Sequence, residues 1–239
     1  MYNKIIMNIL WDFDGTLAYR DGMWSATLLS LLNKNGINDI SIEKIRPYLQ
    51  IGFSWHNSEY SHKEFFKGKT WDEYYDKYFY EIFLNIGIKE DIAKKLSKNV
   101  IIEYMDKTKW FIYDYVVEML EKTIEIGYKN FILSNHVPEL TVIVENVGLK
   151  KYFNGIYSSA NIGYEKPNLN VFKYVLKDLG VDKNTCIIIG DSFNADIKGG
   201  EKSGIKSILV RSKNTENYKW YCNNFKNIVA MIEEIKIQK

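Results

Sequence analysis

The stretch Ile9-Leu10-Trp11-Asp12-Phe13-Asp14-Gly15-Thr16-Leu17 decides how the rest of the chain is read. A short run of Ile, Leu and Trp stops at two aspartates flanking one phenylalanine, and a glycine follows. Runs of this length and composition, bounded by a glycine, read as buried strands, so a strand is expected over Ile5 to Phe13. In an open α/β sheet, ligands bind beyond the carboxyl ends of the strands. Side chains two apart in an extended chain point the same way until Gly15 lets the backbone turn. Asp12 and Asp14 are therefore expected to converge on one small volume.

Downstream of Leu17 and up to about Met105 the pattern is helical and poor in strands. Trp24, Leu28, Leu31 and Leu32 share a helical face before Gly36. Thr70 and Glu73 form a capping box, after which Trp71, Tyr74, Tyr75, Tyr78, Phe79, Ile82 and Phe83 keep a helical stripe as far as Gly87. Ile92, Leu96, Val100 and Tyr104, at steps of four, predict a third helix. The aromatic stretch from Ile51 to Thr70 has no period and reads as a long loop.

From Trp110 onward, helix and strand alternate. Strands are expected at Asn130 to Leu133, Gly155 to Ser158, Thr185 to Ile189 and Lys206 to Val210. Helices are expected around Val116 to Thr123, from Pro138 to Gly148, around Phe172 to Leu179 and from Ile228 to Ile235. This alternation implies a parallel sheet with right-handed crossovers, a doubly wound α/β core. The expected division is residues 1–18 and 106–239 as the core, with 19–105 as an inserted helical domain.

Composition narrows the partners. With 32 basic and 30 acidic side chains spread along 239 residues, the net charge is only +2. No basic patch suggests nucleic acid, so a small-molecule ligand is expected. Cys186 and Cys222 are too few for a disulfide framework and lack metal-ligand spacing, which fits a reducing compartment. No run reaches the roughly 18 apolar residues of a membrane span. A cytoplasmic protein, monomeric or weakly dimeric, is expected.

Four sites fall at or just beyond strand ends: Asp12 with Asp14, Ser134 with Asn135, Lys166 before Pro167, and Asp191 with Asp196. In this order they resemble the haloacid dehalogenase (HAD) superfamily, specifically its phosphatase branch with a helical cap inserted after the first motif. Asp12-Phe13-Asp14-Gly15-Thr16-Leu17 is similar to that family's first motif and Leu133-Ser134-Asn135 to its second. Glu165-Lys166-Pro167 is similar to the third, and Gly190-Asp191 through Asp196-Ile197 to the fourth.

The resemblance implies a Rossmann-like fold and a Mg²⁺-dependent phosphomonoester hydrolase of small metabolites. Asp12 would be the nucleophile that forms an aspartyl-phosphate, and Asp14 the acid that protonates the leaving alcohol and then activates water. For that, Asp14 must be protonated near neutrality, which means lifting a pKa of ~3.9 by about three units, or roughly 4 kcal/mol. The implied metal ligands are the carboxylates of Asp12 and Asp191 and the main-chain carbonyl of Asp14, with Asp196 in an outer layer. Ser134, Asn135 and Lys166 would bind the phosphate. A phosphate dianion beside three ionised aspartates and one lysine leaves about four excess negative charges, which a divalent cation would halve.

Two departures from the family pattern, Asn168 after Lys166-Pro167 and Gly199-Gly200, are expected to touch helix starts and packing more than chemistry. Asp14 argues against dehalogenation, since family dehalogenases lack that second aspartate. His136 is a further candidate for the pocket. Arg20, Trp24, Phe53, Trp55 and His56 are cap candidates for meeting the leaving group. A phosphomutase of the same family, a nucleoside 5'-monophosphatase and a non-catalytic phosphate-binding module are the alternatives.

Overall fold

The computed structural model describes residues 7–237. In chain order the strands are β1 (Asn8–Trp11), β2 (Ala18–Arg20), β3 (Trp110–Ile112), β4 (Lys129–Ser134), β5 (Gly155–Ser158), β6 (Cys186–Gly190), β7 (Lys206–Val210) and β8 (Tyr221–Cys222). The chain divides into two compact units. One runs up to Tyr19 and resumes at Phe111, and the other is Arg20–Trp110. β2 and β3 pair as a two-stranded sheet.

The first unit is a six-stranded sheet in the order β5-β4-β1-β6-β7-β8, with every pair parallel. The α/β class expected from the alternation is the observed one. Strand β1 is central because Asn-Ile-Leu-Trp is buried along its whole length, as a strand covered on both faces requires. It is shorter than expected, and Ile5 and Ile6 lie outside the described residues. In register, Trp11 is level with Ile132 of β4 and Ile189 of β6. The residues that follow these three positions therefore emerge along one edge. The chain leaves β1 for β4 on one side and β6 on the other, a switch point of the kind at which α/β sheets bind ligands.

The two faces of β1 pack differently. Leu10 joins Phe131, Leu133, Val171, Phe172, Val175 and Ile188 in an apolar cluster against the helix Leu169–Leu179. On the other face Trp11 meets Phe225 edge-on at 5.7 Å. Its indole N–H donates to Asn130 Oδ1 at 3.0 Å, and Asn130 donates to Thr123 Oγ1 at 2.9 Å. The buried amide thus has partners at both ends, as it must if burial is not to cost stability. Phe172 is fully buried, and its truncation to Ala would cost about 3–5 kcal/mol.

One helix start follows the expected chemistry and another departs from it. Asn168 caps Leu169–Leu179 through a bond from the Asn170 N–H to its Oδ1 at 3.0 Å. Pro138, expected in the first turn of a helix, precedes it instead: the helix is Leu140–Asn146. The Pro138 carbonyl accepts a bond from Asn161 Nδ2 at 3.1 Å. Gly200 packs so closely that a Cβ there would overlap Ile188 and Ser207.

The second unit is helical, built on Met23–Lys34 and Trp71–Asn85. The Thr70/Glu73 capping box is present. The helix expected over Ile92 to Tyr104 is two, Glu90–Ser97 and Val100–Tyr104, interrupted at Lys98 and Asn99. The stretch read as a long loop contains a short helix, His62–Phe65, with its own capping box from Ser61 and Glu64. Its interior is a run of rings: Tyr104 lies flat on Trp24 (4.1 Å, 4°), Trp24 contacts Phe53 (5.3 Å) and Phe79 (5.4 Å), and Phe53 lies flat on Trp55 (4.2 Å, 9°). Among the described residues no helix is long and apolar enough to cross a membrane.

Candidate active site

The ladder of β1 continues one residue past the strand, with the Asp12 N–H donating to the Ile189 carbonyl at 2.9 Å. The chain then turns sharply. The Phe13 carbonyl accepts from the N–H groups of Leu17 (2.9 Å) and Ala18 (3.1 Å), and Gly15 N–H donates to Ala18 (2.9 Å). Gly15 has a φ of 77°, which an L side chain rarely adopts, and a Cβ there would overlap the Asp191 carboxylate. The glycine therefore lets the first and fourth motifs approach each other.

Lys166 lies at the centre of the charges. Its Nζ donates to Asp12 Oδ1 (2.8 Å), Asp196 Oδ1 (2.5 Å) and the Leu133 carbonyl (2.8 Å). An ammonium has three donors, and all three are taken by protein. Burial works against its charge, but Asp12 and Asp196 outweigh that and raise its pKa above the ordinary lysine value. In this arrangement Lys166 neutralises two carboxylates at the place where the sequence leads us to expect it to meet phosphate. Asp196, fully buried, also accepts the Ser192 N–H at 3.0 Å. Both of its oxygens are held by protein groups.

Asp12, Asp191 and Asp196 each offer an oxygen within 4.8 Å of the others. Three acids sharing one lysine are short of positive charge. Burial, and then the charges of Asp12 and Asp196, push the Asp191 carboxyl up to about 7. Thr16, to which the sequence reading gave no role, sits between two of these acids. Its Oγ1 lies 3.4 Å from Asp12 Oδ2 and 3.3 Å from Asp191 Oδ1. A divalent cation fits this donor set, because hard cations take carboxylate and carbonyl oxygens and the missing charge is positive.

The second motif closes the other side. Ser134 ends β4 and is buried, and among the described residues no hydrogen bond to its hydroxyl is present. Asn135, also expected at the phosphate, has its side-chain amide on the main chain of the third motif. Its Nδ2 donates to the Lys166 carbonyl (2.8 Å) and its Oδ1 accepts the Lys166 N–H (2.7 Å), so the amide clamps the backbone that carries the lysine. His136 faces the first motif, with Nε2 3.5 Å from Asp14 Oδ2 and its ring edge-on to Phe13 at 5.8 Å. Burial lowers its pKa to about 4, which leaves a neutral imidazole at neutral pH. The loop is fixed from β5 outward: Ser159 Oγ accepts the His136 N–H (3.1 Å), and Ser158 Oγ donates to the carbonyls of His136 (2.7 Å) and Val137 (2.8 Å). These two serines had no sequence signal beyond lying at a strand end.

In the helical unit Trp24, Phe53 and Arg20 are buried. Arg20 donates from Nε to Thr27 Oγ1 at 3.0 Å. Trp55 and His56, less buried, line an open depression of about 290 Å³ together with the edges of Trp24 and Phe53 and with Ser25 and Arg46.

Comparison with known proteins adds to this geometry. The family model described as haloacid dehalogenase-like hydrolase matches residues 9–210. A glyceraldehyde 3-phosphate phosphatase of Methanothermobacter thermautotrophicus is 31% identical over 91 residues, spanning 38% of this chain and 40% of the relative. The match to that relative thus covers less than half of its length. The pyrimidine 5'-nucleotidase PynA of Streptococcus pneumoniae is 25% identical over 88% of this chain and 86% of its own. Among solved structures, the HAD-hydrolase YfnB of Bacillus subtilis, bound to magnesium, superposes with a TM-score of 0.76 at 20% identity, covering 96% of this chain and all of that one. With the residues of four motifs brought together at one end of the sheet and a family match over residues 9–210, the chain belongs to the haloacid dehalogenase-like hydrolases and is an enzyme.

Proposed function

We propose that the protein is a divalent-cation-dependent phosphatase that removes phosphate from small phosphorylated metabolites by way of an aspartyl-phosphate on Asp12. One observation carries the reading: Asp12, at the end of the central strand, shares a buried cluster with Asp191, Asp196 and Lys166, and Asp14 follows two residues later.

The chemistry follows from the side chains. An Asp12 oxygen attacks phosphorus in line with the ester oxygen, the P–O(ester) bond breaks, and Asp14 gives the leaving oxygen its proton. Water then attacks the acyl phosphate while Asp14 takes a proton from it, and Asp12 is released. Lys166 and the amide clamp of Asn135 hold the nucleophile in place. The Ser134 hydroxyl and main-chain N–H groups of the two turns are donors for the phosphate oxygens. Asp12, Asp191 and the Asp14 carbonyl are the groups that would hold Mg²⁺, which would offset charge on the phosphate.

For substrate, the relative matched over most of its length acts on pyrimidine nucleotides and another on glyceraldehyde 3-phosphate. Both are monoesters of a primary alcohol, and we place the substrate in that class. Residues 20–110 are assigned the role of a cap that selects among such esters, with Trp55 and His56 foremost. The test is a panel containing pyrimidine nucleoside 5'-monophosphates, glyceraldehyde 3-phosphate and an aryl phosphate, assayed for phosphate with Mg²⁺ and with excess chelator. Release only with the cation, lost in Asp12→Asn, is the expected result. Full activity in chelator, or undiminished turnover in Asp12→Asn, would overturn the mechanism.

A further inference from the structure

Beyond β7 the chain turns at Arg211, whose φ of 57° lies in the left-handed region. Side-chained residues other than Asn, Asp and His seldom adopt that conformation, and a surrounding structure must enforce it. Here the enforcement comes from the side chain. Arg211 Nε donates to the Thr16 carbonyl at 3.1 Å, and Nη2 donates to the Asp114 carbonyl at 3.1 Å. The guanidinium carbon lies 4.0 Å from the Tyr113 ring centre and 4.6 Å from that of Phe225. Phe225 in turn meets Trp11, the residue before the nucleophile. The Tyr113 N–H donates to the Leu17 carbonyl at 3.1 Å, and the Tyr113 ring lies 4.7 Å from that of Tyr19.

We propose that Arg211 is a positioning residue for the catalytic turn, holding the Thr16 carbonyl so that the Thr16 hydroxyl stays between Asp12 and Asp191. The proposal rests on the reading of Asp12 as nucleophile. Thr16 is the link between clamp and chemistry: its carbonyl is held by Arg211 and its hydroxyl reaches both acids. The same guanidinium ties the segment leaving the first motif to the segment returning at Asp114. Only a planar fork with separated donors can serve two carbonyls while stacking on rings. A lysine, a compact point charge without a planar face, cannot stack on both rings while reaching the two carbonyls.

The test compares Arg211→Met and Arg211→Lys with the wild type by steady-state kinetics on an aryl phosphate and by amide hydrogen exchange of Gly15, Thr16 and Leu17. For Arg211→Met, kcat should fall about tenfold to a hundredfold with KM changed less than about threefold, because displacing a reacting group by an ångström costs rates of this order. Exchange in the turn should speed up, and Arg211→Lys should recover part of both losses. Unchanged exchange in Arg211→Met, or a wild-type kcat despite faster exchange, overturns the proposal. Should Arg211→Met fail to fold, Arg211→Lys decides: kinetics and exchange identical to wild type overturn the clamp, and a partial loss of kcat with faster exchange supports it. A wild type that releases no phosphate from any ester brings down the Asp12 reading and this proposal together. That result is distinct from failure of Arg211 alone, in which the wild type turns over and the variant matches it.

Discussion

In the unit of the parallel sheet, three aspartates and a lysine share one buried volume with too little positive charge between them. In the helical unit, an uncharged file of rings runs through the interior from Tyr104 through Trp24 and Phe53 to Trp55. The first arrangement sacrifices stability for chemistry, since buried carboxylates repel one another and are poorly solvated. The second does the reverse: each ring buries a large apolar area and stacks favourably on its neighbours. Substitutions in the two regions should therefore separate activity from stability in opposite directions.

The largest expected effect is Asp12→Asn, which should reduce kcat by at least about 10⁴-fold, or roughly 5.5 kcal/mol of barrier. Its melting temperature should stay level or rise, because one of three crowded acids is gone while Lys166 keeps an acceptor. A melting temperature lowered by many degrees would break the contrast. Next comes Trp24→Ala, expected to cost about 3–5 kcal/mol of stability while kcat on a minimal aryl phosphate stays within a few-fold. Lost activity at unchanged stability would move Trp24 into the site.

A smaller effect sharpens the picture inside the charged cluster. Asn135→Ala removes both bonds to the Lys166 backbone and should cost about 1–3 kcal/mol, with a drop in kcat that exceeds any change in KM. Equal losses in both would point to a role at the substrate.

The smallest effect is a pH trend in metal-free protein. Burial and the neighbouring carboxylates raise the Asp191 carboxyl, to about 7, and burial raises Asp196 against the pull of Lys166. Between about pH 4 and 7 the folded state thus keeps protons that the unfolded chain has released, so stability falls as pH rises through that window. Thermal melts from pH 5 to 8 should show the decline, and Mg²⁺ at pH 8 should reverse it. A flat profile without metal would mean the acids are already balanced.

What could be read from the residues in advance was whatever leaves a local mark. A buried strand ending in Asp-Phe-Asp-Gly, a capping box at Thr70 and Glu73, and alternation after Trp110 are short-range patterns, and the parallel sheet they predict is observed except for the two-residue edge strand β8, too short to leave a pattern. The ends of the helix divided at Lys98 and Asn99 carried no comparable mark. The Ser61/Glu64 box was legible but lay inside a stretch rich in rings. Contacts across long separations were invisible: Asn135 with Lys166, Thr16 with Asp191, and Ser158 with the loop after Ser134. Each is a polar side chain meeting another segment, and no periodicity records such a meeting. Trp24 and Trp55 show the same limit, since composition treats them alike and only packing buries one and leaves the other half-buried.

The segment Phe193–Lys198 is wound one residue wider than an ordinary helix, with the Ile197 N–H reaching back five positions to the Ser192 carbonyl at 3.3 Å. A wide turn of this kind amounts to one extra residue inserted into a helix, and such insertions recur at functional sites. Removing a single residue there would rotate everything after the deletion by about 100° relative to the sheet. A deletion before Asp196 would swing that carboxylate off Lys166, whereas one after Lys198 would leave the pair intact. The reading frame of six residues therefore carries a constraint that no choice of side chain can replace, and along a lineage this segment should tolerate changes of residue far more readily than changes of length.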